Sequence, residues 1–189
     1  MKKVFFSALF LCLSCFAFSQ TFMHGVGVNT MVQTASGYST QVVGGLMYSP
    51  RISFMETDNT SLSVGIPLSI GFSAHYSSNG YNETNSLGLV FDAPLILNFN
   101  YGAGSSKETE SRFGLFVGGG FGYHTSQYTA SDAYLDVSDK MSGFGPVGNA
   151  GIRFGVGNHT HNVEIRFSYM KTLDITKSSI VGIGGLFNF

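Results

Sequence analysis

SLSVGIPLSIGFSAHY, residues Ser61–Tyr76, alternates without a slip. Leu62, Val64, Ile66, Leu68, Ile70, Phe72, Ala74 and Tyr76 share one parity, and Ser61, Ser63, Gly65, Pro67, Ser69, Gly71, Ser73 and His75 the other. A strand turns successive side chains to opposite faces, so this period of two has no helical competitor. One face is wholly apolar and the other small or polar. A soluble sandwich would bury the apolar face, whereas a barrel lined by the small face turns the apolar one to lipid.

The parity recurs along the chain. Leu87, Leu89, Phe91, Ala93, Leu95, Leu97, Phe99 and Tyr101 oppose Gly88, Asp92, Asn98 and Asn100, and Phe113, Leu115, Val117, Phe121 and Tyr123 oppose Gly114, Gly118, Gly120 and Gly122. Shorter copies are Ile152-Phe154-Val156, Val163-Ile165-Phe167-Tyr169, and Val181-Ile183 with Phe187-Phe189; Phe22 to Gln33 and Gln41 to Glu56 are weaker candidates. The expected fold is therefore all-β, an antiparallel up-and-down transmembrane β-barrel of about eight strands. Segments 34–40, 77–86, 125–142 and 171–178 are expected to be extracellular loops, and 57–60, 102–111 and 157–161 periplasmic turns. The 102–111 connection is long for such a turn.

Composition agrees. The chain has 25 Gly, 18 Phe and 9 Tyr but only 11% charged residues, which disfavours long amphipathic helices. A net charge of -1 gives no bulk attraction to nucleic acid. Lys2 and Lys3, the apolar run Val4 to Phe18 and the small-x-small site Ala17-Phe18-Ser19 read as a secretory signal peptide over 1–19, leaving 20–189 as one domain. A lipoprotein signal with acylated Cys15 fits the preceding Cys12-Leu13-Ser14 poorly. Both cysteines fall in this segment, so the exported domain has no disulfide framework.

Proline lacks the N–H that a closed ladder requires, and Pro50, Pro67, Pro94 and Pro146 all fall in expected strands. Bulges or missing ladder bonds are expected at Pro67 and Pro94, a bulge also tightening the twist. The inward row Gly118, Gly120 and Gly122 is expected to let the opposite wall approach across a narrow lumen.

Gly184, Phe187 and the final Phe189 resemble the C-terminal assembly signal of outer-membrane barrels. With the export signal and the alternating strands, the chain resembles the outer-membrane β-barrel domain family common in Bacteroidetes, similar in plan to the OmpA barrel and to OmpX. That resemblance implies a place in the outer membrane of a Gram-negative cell, with membrane lipid and the barrel-assembly machinery as partners. It implies no reaction.

No motif points to chemistry with force. Gly143-Phe144-Gly145-Pro146-Val147-Gly148 matches GxGxxG, but a proline inside it and strand-like residues after it exclude the strand-turn-helix context of a dinucleotide site. His75, His124, His159 and His161 read as solvated histidines near strand ends and turns, and no metal or cofactor is expected. No Ser, His and carboxylate set shares parity and height, so no enzyme is expected. Parity places Arg51, Asp92, Arg153, Glu164 and Arg166 inside the lumen, and the short 157–161 turn sets Arg153 nearly opposite Glu164. These charges read as a lumen network that plugs the interior, because eight strands leave room only for side chains. Tyr76, Tyr81, Tyr101, Phe113, Tyr123, Tyr128, Tyr169 and Phe189 read as interfacial girdles.

The expected role is structural or interactive, through an extracellular ligand or surface met by loops such as 125–142, with Asp132, Asp136, Asp139 and Lys140. The alternatives are a narrow channel or carrier for a small or apolar solute, and a soluble lipocalin-like barrel. The latter would need its apolar face inside.

Overall fold

The computed structural model describes residues 21–35, 40–78, 83–132, 135–157, 161–174 and 177–189, the side chains of 74–87 and 128–139 excepted. The export segment, Tyr81, His159 and the 157–161 turn between 158 and 160 lie outside the described residues. Eight antiparallel strands close on themselves. β1 is Thr21–Met23 and Gly25–Thr34, β2 is Gln41–Tyr48 and Arg51–Phe54, and β3 is Thr60–Gly65 and Leu68–Ser78. β4 is Glu83–Gly102, β5 Phe113–Asp132, β6 Leu135–Val156, β7 His161–Lys171 and β8 Ser179–Asn188. Each strand pairs with its neighbours in sequence, and β8 pairs with β1 to complete the ring.

The pairing itself gives the shape. From Gln33 the ladder passes through Ile180, Met170, Val147, Gly120, Ile96, Gly65 and Arg51, and returns to β1 at Met23, ten residues from its start. With a rise of about 3.3 Å per residue and strands about 4.8 Å apart, that offset tilts the strands by about 40° and gives a radius of about 8 Å. Side chains alone can fill such an interior.

The breaks in β1, β2 and β3 are not bulges. Tyr48 pairs with Leu68 before the break and Arg51 with Gly65 after it, in one register. Likewise Gly65 opposes Ile96 and Ser69 opposes Asp92, which sets Pro67 directly opposite Pro94. Because Ile66 N donates to Pro50 O at 3.1 Å, the next residue, Pro67, turns its nitrogen the other way, toward β4. Pro94 turns its own toward β3. Two absent donors thus share one gap, and each proline leaves the ladder on its other side intact. Ladder bonds are missing there as expected, while the expected bulge is absent because the count of residues is equal on both strands.

Two further expectations change. Residues 125–142 are mostly strand, since β5 and β6 run paired to Asp132 and Leu135. Nor do Gly118 and Gly120 admit the opposite wall: a Cβ there would strike the carbonyls of Leu97 and Leu95 on the adjacent β4. Coiling brings neighbouring strands, rather than facing ones, into that contact. Gly122 alone faces a more distant strand, with Met170 Sδ 3.1 Å from where its Cβ would stand.

Outward parity holds around the ring. Val28, Leu46, Phe72, Leu95, Phe121 and Phe167 are all exposed, and Leu46 is 70% so. On β1 this apolar face extends from Phe22 to Val32, about 25 Å along the axis at the tilt above. Tyr101, Phe113, Tyr169 and Phe189 are exposed toward its edges, whereas the Tyr76 and Tyr128 side chains lie outside the described set.

Candidate functional site

The concave site is the lumen, and the offset of ten residues sorts its side chains by height. At the end holding Thr21 and Phe189, called here the near end, four charges meet. Arg153 opposes Glu164 in the β6–β7 ladder, and its Nε donates to Glu164 Oε2 at 2.7 Å. Arg51 reaches the same oxygen from β2 at 3.2 Å, and Arg166 donates to Oε1 through Nε at 2.8 Å. Asn188 Nδ2 donates to Oε2 as well, at 3.2 Å. Glu164 and Arg153 are 0% exposed. Phe116 lies beneath two of the guanidiniums, its centroid 4.3 Å from Arg153 Cζ and 5.4 Å from Arg166 Cζ, a placement that favours cations desolvated over a ring face.

Of the five lumen charges expected from parity, these four come together and Asp92 does not. It stands higher in the lumen and accepts from His124 Nδ1 at 2.6 Å. His124 is therefore not a solvated strand-end histidine: it is 2% exposed and faces inward beside a carboxylate. The pair comes together because β4 and β5 place Asp92 directly opposite His124. Both residues lie on the inward parity. His124 Nε2 has no hydrogen-bond partner, so among the described residues no hydroxyl completes a nucleophilic triad. Ser126, two residues along, instead accepts from Gln33 Nε2 at 3.4 Å, a link that crosses the lumen from β1. His161 is exposed and stacks on Phe187, while the His75 side chain lies outside the described set.

Above the arginine cluster, around the height of the Asp92–His124 pair, lies an apolar layer that parity does not announce: on β4 Val90 and Ile96 flank Asp92. Met31, Val43, Val90, Ile96, Val147, Met170 and Ile180 all point inward and form one buried cluster. Their signature in sequence is failed alternation, as in Val42-Val43 and Leu95-Ile96-Leu97.

The long 102–111 connection finds its explanation at the near end. Ala103, Ser105 and Thr109 are at most 2% exposed. Gly104, with φ +71°, accepts from Arg153 Nη1 at 3.4 Å, and a Cβ on it would come within 2.7 Å of Asn162 Nδ2. Ser106 Oγ donates to Asp58 O, and Thr109 Oγ1 to Asn59 Oδ1. A segment joining β4 to β5 thus reaches β6, β7 and the β2–β3 turn across the mouth. Its length is what that span requires.

Gly184, Phe187 and Phe189 lie at the closing seam. Phe189 and His24 exchange both backbone hydrogen bonds, at 2.8 and 2.9 Å, and their rings stack 5.7 Å apart. Gly143–Gly148, the GxGxxG match, is interior to β6 and pairs with His124 to Gly119 rather than opening a helix.

No protein-family model and no curated protein matches the chain. Solved structures do. Ail, the attachment invasion locus protein of Yersinia pestis, is 10% identical with a TM-score of 0.55, over 90% of this chain and 98% of Ail. Neisserial surface protein A is 10% identical with a TM-score of 0.50, over 90% of this chain and 97% of that one. At this identity the likeness is one of fold: both share the eight-stranded antiparallel barrel.

Proposed function

We propose that this chain is an outer-membrane protein whose lumen is closed and whose work, structural or adhesive, is done without catalysis at the far end, opposite Thr21 and Phe189. The observation that carries the reading is the buried Glu164, bound by three arginines drawn from β2, β6 and β7. In a barrel of this radius such a cluster occupies the lumen. The apolar layer above it and the 102–111 segment below it oppose the passage of ions. Membrane residence is supported by the outer face, where an apolar band about 25 Å tall is the height of a bilayer-spanning barrel's girdle. Of the two exposed lysines of the strands, Lys140 stands beyond that band and Lys171 at its far-end edge.

The far end has reach. From Tyr123, which packs on Phe144 at the band's edge, β5 continues nine residues to Asp132, projecting the β5–β6 hairpin about 20 Å beyond. Ail, named for attachment and invasion, shares this fold, which is consistent with a contact surface carried on the hairpin. The seam made by Gly184, Phe187 and Phe189 suits docking of the last strand by the barrel-assembly machinery, within the Bacteroidetes-type, OmpX-like plan.

The test is conductance in planar bilayers combined with protease treatment of intact cells. The reading predicts silent wild-type barrels, a band whose gel migration shifts on boiling, and cuts confined to the β5–β6 hairpin and its neighbouring loops. Discrete openings that change in Arg153→Ala would replace it with the narrow-channel reading. Cuts within 102–111 would invert the topology.

A further inference from the structure

The near-end cluster is not neutral. Three guanidiniums surround one carboxylate, leaving a formal excess of two positive charges, and all four side chains are at most 5% exposed. Among the described residues no second carboxylate lies within 4 Å of those guanidiniums. Glu56, at the same end of the barrel, is committed to Thr21, accepting from its N at 3.2 Å and its Oγ1 at 3.1 Å. Water can satisfy a donor but leaves the charge uncompensated, and an uncompensated buried charge is strongly destabilising.

The unpaired atoms point the same way. Arg51 Nε, Arg153 Nη2 and Asn162 Nδ2 are buried without a partner, and all three can only donate. They also converge. Arg51 and Arg153 bind one oxygen, Glu164 Oε2, and Asn162 is joined to it through Asn188, which donates to Asn162 Oδ1 at 2.7 Å and to Glu164 Oε2 at 3.2 Å. Away from the cluster the unpaired atoms are mostly acceptors, Asn29 Oδ1, Gln33 Oε1, Asp92 Oδ2, Asn98 Oδ1 and, with Nδ1 carrying the proton, His124 Nε2, while Asn149 leaves both its amide nitrogen and its amide oxygen unpaired. The donor excess is therefore local to the arginine cluster.

We propose that the near end of the lumen is a binding site for one small inorganic anion of halide size, held by Arg51 Nε, Arg153 Nη2 and Asn162 Nδ2. The anion neutralises part of the excess charge and fixes the guanidiniums around Glu164. The site requires the near-end cluster alone, so it stands whether or not the barrel conducts.

Bromide is the probe. The folded mature chain in detergent is titrated with sodium bromide against sodium gluconate at constant ionic strength, and the midpoint of heat-induced unfolding is read from gel migration. Crystals grown in bromide are examined by anomalous scattering. The midpoint is expected to rise and saturate in bromide, with an anomalous peak beside Arg51 Nε and Arg153 Nη2. Arg51→Met and Asn162→Leu are each expected to weaken the apparent affinity by roughly tenfold, the worth of one charge-assisted hydrogen bond. Glu164→Gln, which raises the excess charge to three, is expected to strengthen it. Asn162→Leu leaves the ionic cluster intact and remains informative if Arg51→Met does not fold. Equal midpoints in the two salts with no peak in the lumen would overturn the proposal, as would an unchanged bromide response in Asn162→Leu.

Discussion

Glu164→Gln is the sharpest single probe of how the interior is held together. In the native barrel the carboxylate receives Arg153 Nε at 2.7 Å, Arg166 Nε at 2.8 Å and Arg51 Nη1 at 3.2 Å. Glutamine keeps the shape and one acceptor oxygen, but turns an NH2 toward guanidiniums that have nothing to accept with. The formal charge of the cluster rises from two to three while burial is unchanged. Removing one member of a buried ionic set costs about 3–5 kcal/mol, and that is the expected loss. Pairing it with Arg153→Met returns the charge to two and replaces a guanidinium over Phe116 with an apolar chain. The double variant is therefore expected to be more stable than Glu164→Gln alone, by about 1–2 kcal/mol. Urea unfolding in lipid vesicles, in chloride-free buffer and followed by the unboiled gel band, measures both. A loss below about 1 kcal/mol for the single variant, or a double variant that loses the sum of both singles, refutes the account of Glu164 as the shared counter-ion.

Gly120→Val drives a side chain into the Leu95 carbonyl and is expected to abolish the folded band, whereas Gly44→Ala, with open space around it, is expected to leave the unfolding midpoint unchanged. Val28→Arg places a charge near the middle of the apolar band, where Val28 is 60% exposed; the expected cost in vesicles is about 2–4 kcal/mol, against less than about 1 for Thr34→Arg at the rim. Pro67→Ala restores a donor opposite Pro94 O, so a newly protected amide at residue 67 is expected in hydrogen-exchange NMR, with stability changing by less than about 1 kcal/mol because the added bond is offset by a freer unfolded chain.

What the sequence disclosed and what it hid divide along physical lines. Outward positions were legible because the exposed face is mostly apolar, so apolar residues recur at every second position along most strands. The Arg153–Glu164 pair was legible too, since a short turn fixes the register of the residues on either side of it. The Asp92–His124 pair needed the β4–β5 register, and the ten-residue connection between those strands concealed it. The apolar layer was hidden for a different reason: Val43, Val90 and Ile96 are the residue types the outer face uses, placed on the other parity. The upper halves of β5 and β6 read as loop because beyond the band neither face has a single solvent to match, and Ser, Thr and Asp then carry no period.

The ladder that leaves Gln33 and comes back to Met23 also limits how such a chain can change length. On a closed cylinder a residue inserted into one strand cannot be absorbed at a free edge, because there is none; the offset is carried round the whole ring. One added residue would exchange inside for outside along half a strand, setting Arg or Glu on the apolar outer face and Phe in the lumen. Two would keep every side chain on its proper face and raise the offset to twelve, which at the same strand spacing widens the radius from about 8.3 to about 9.0 Å. Length change in these walls is thus quantised in pairs, and each pair enlarges the bore that the arginine cluster must fill.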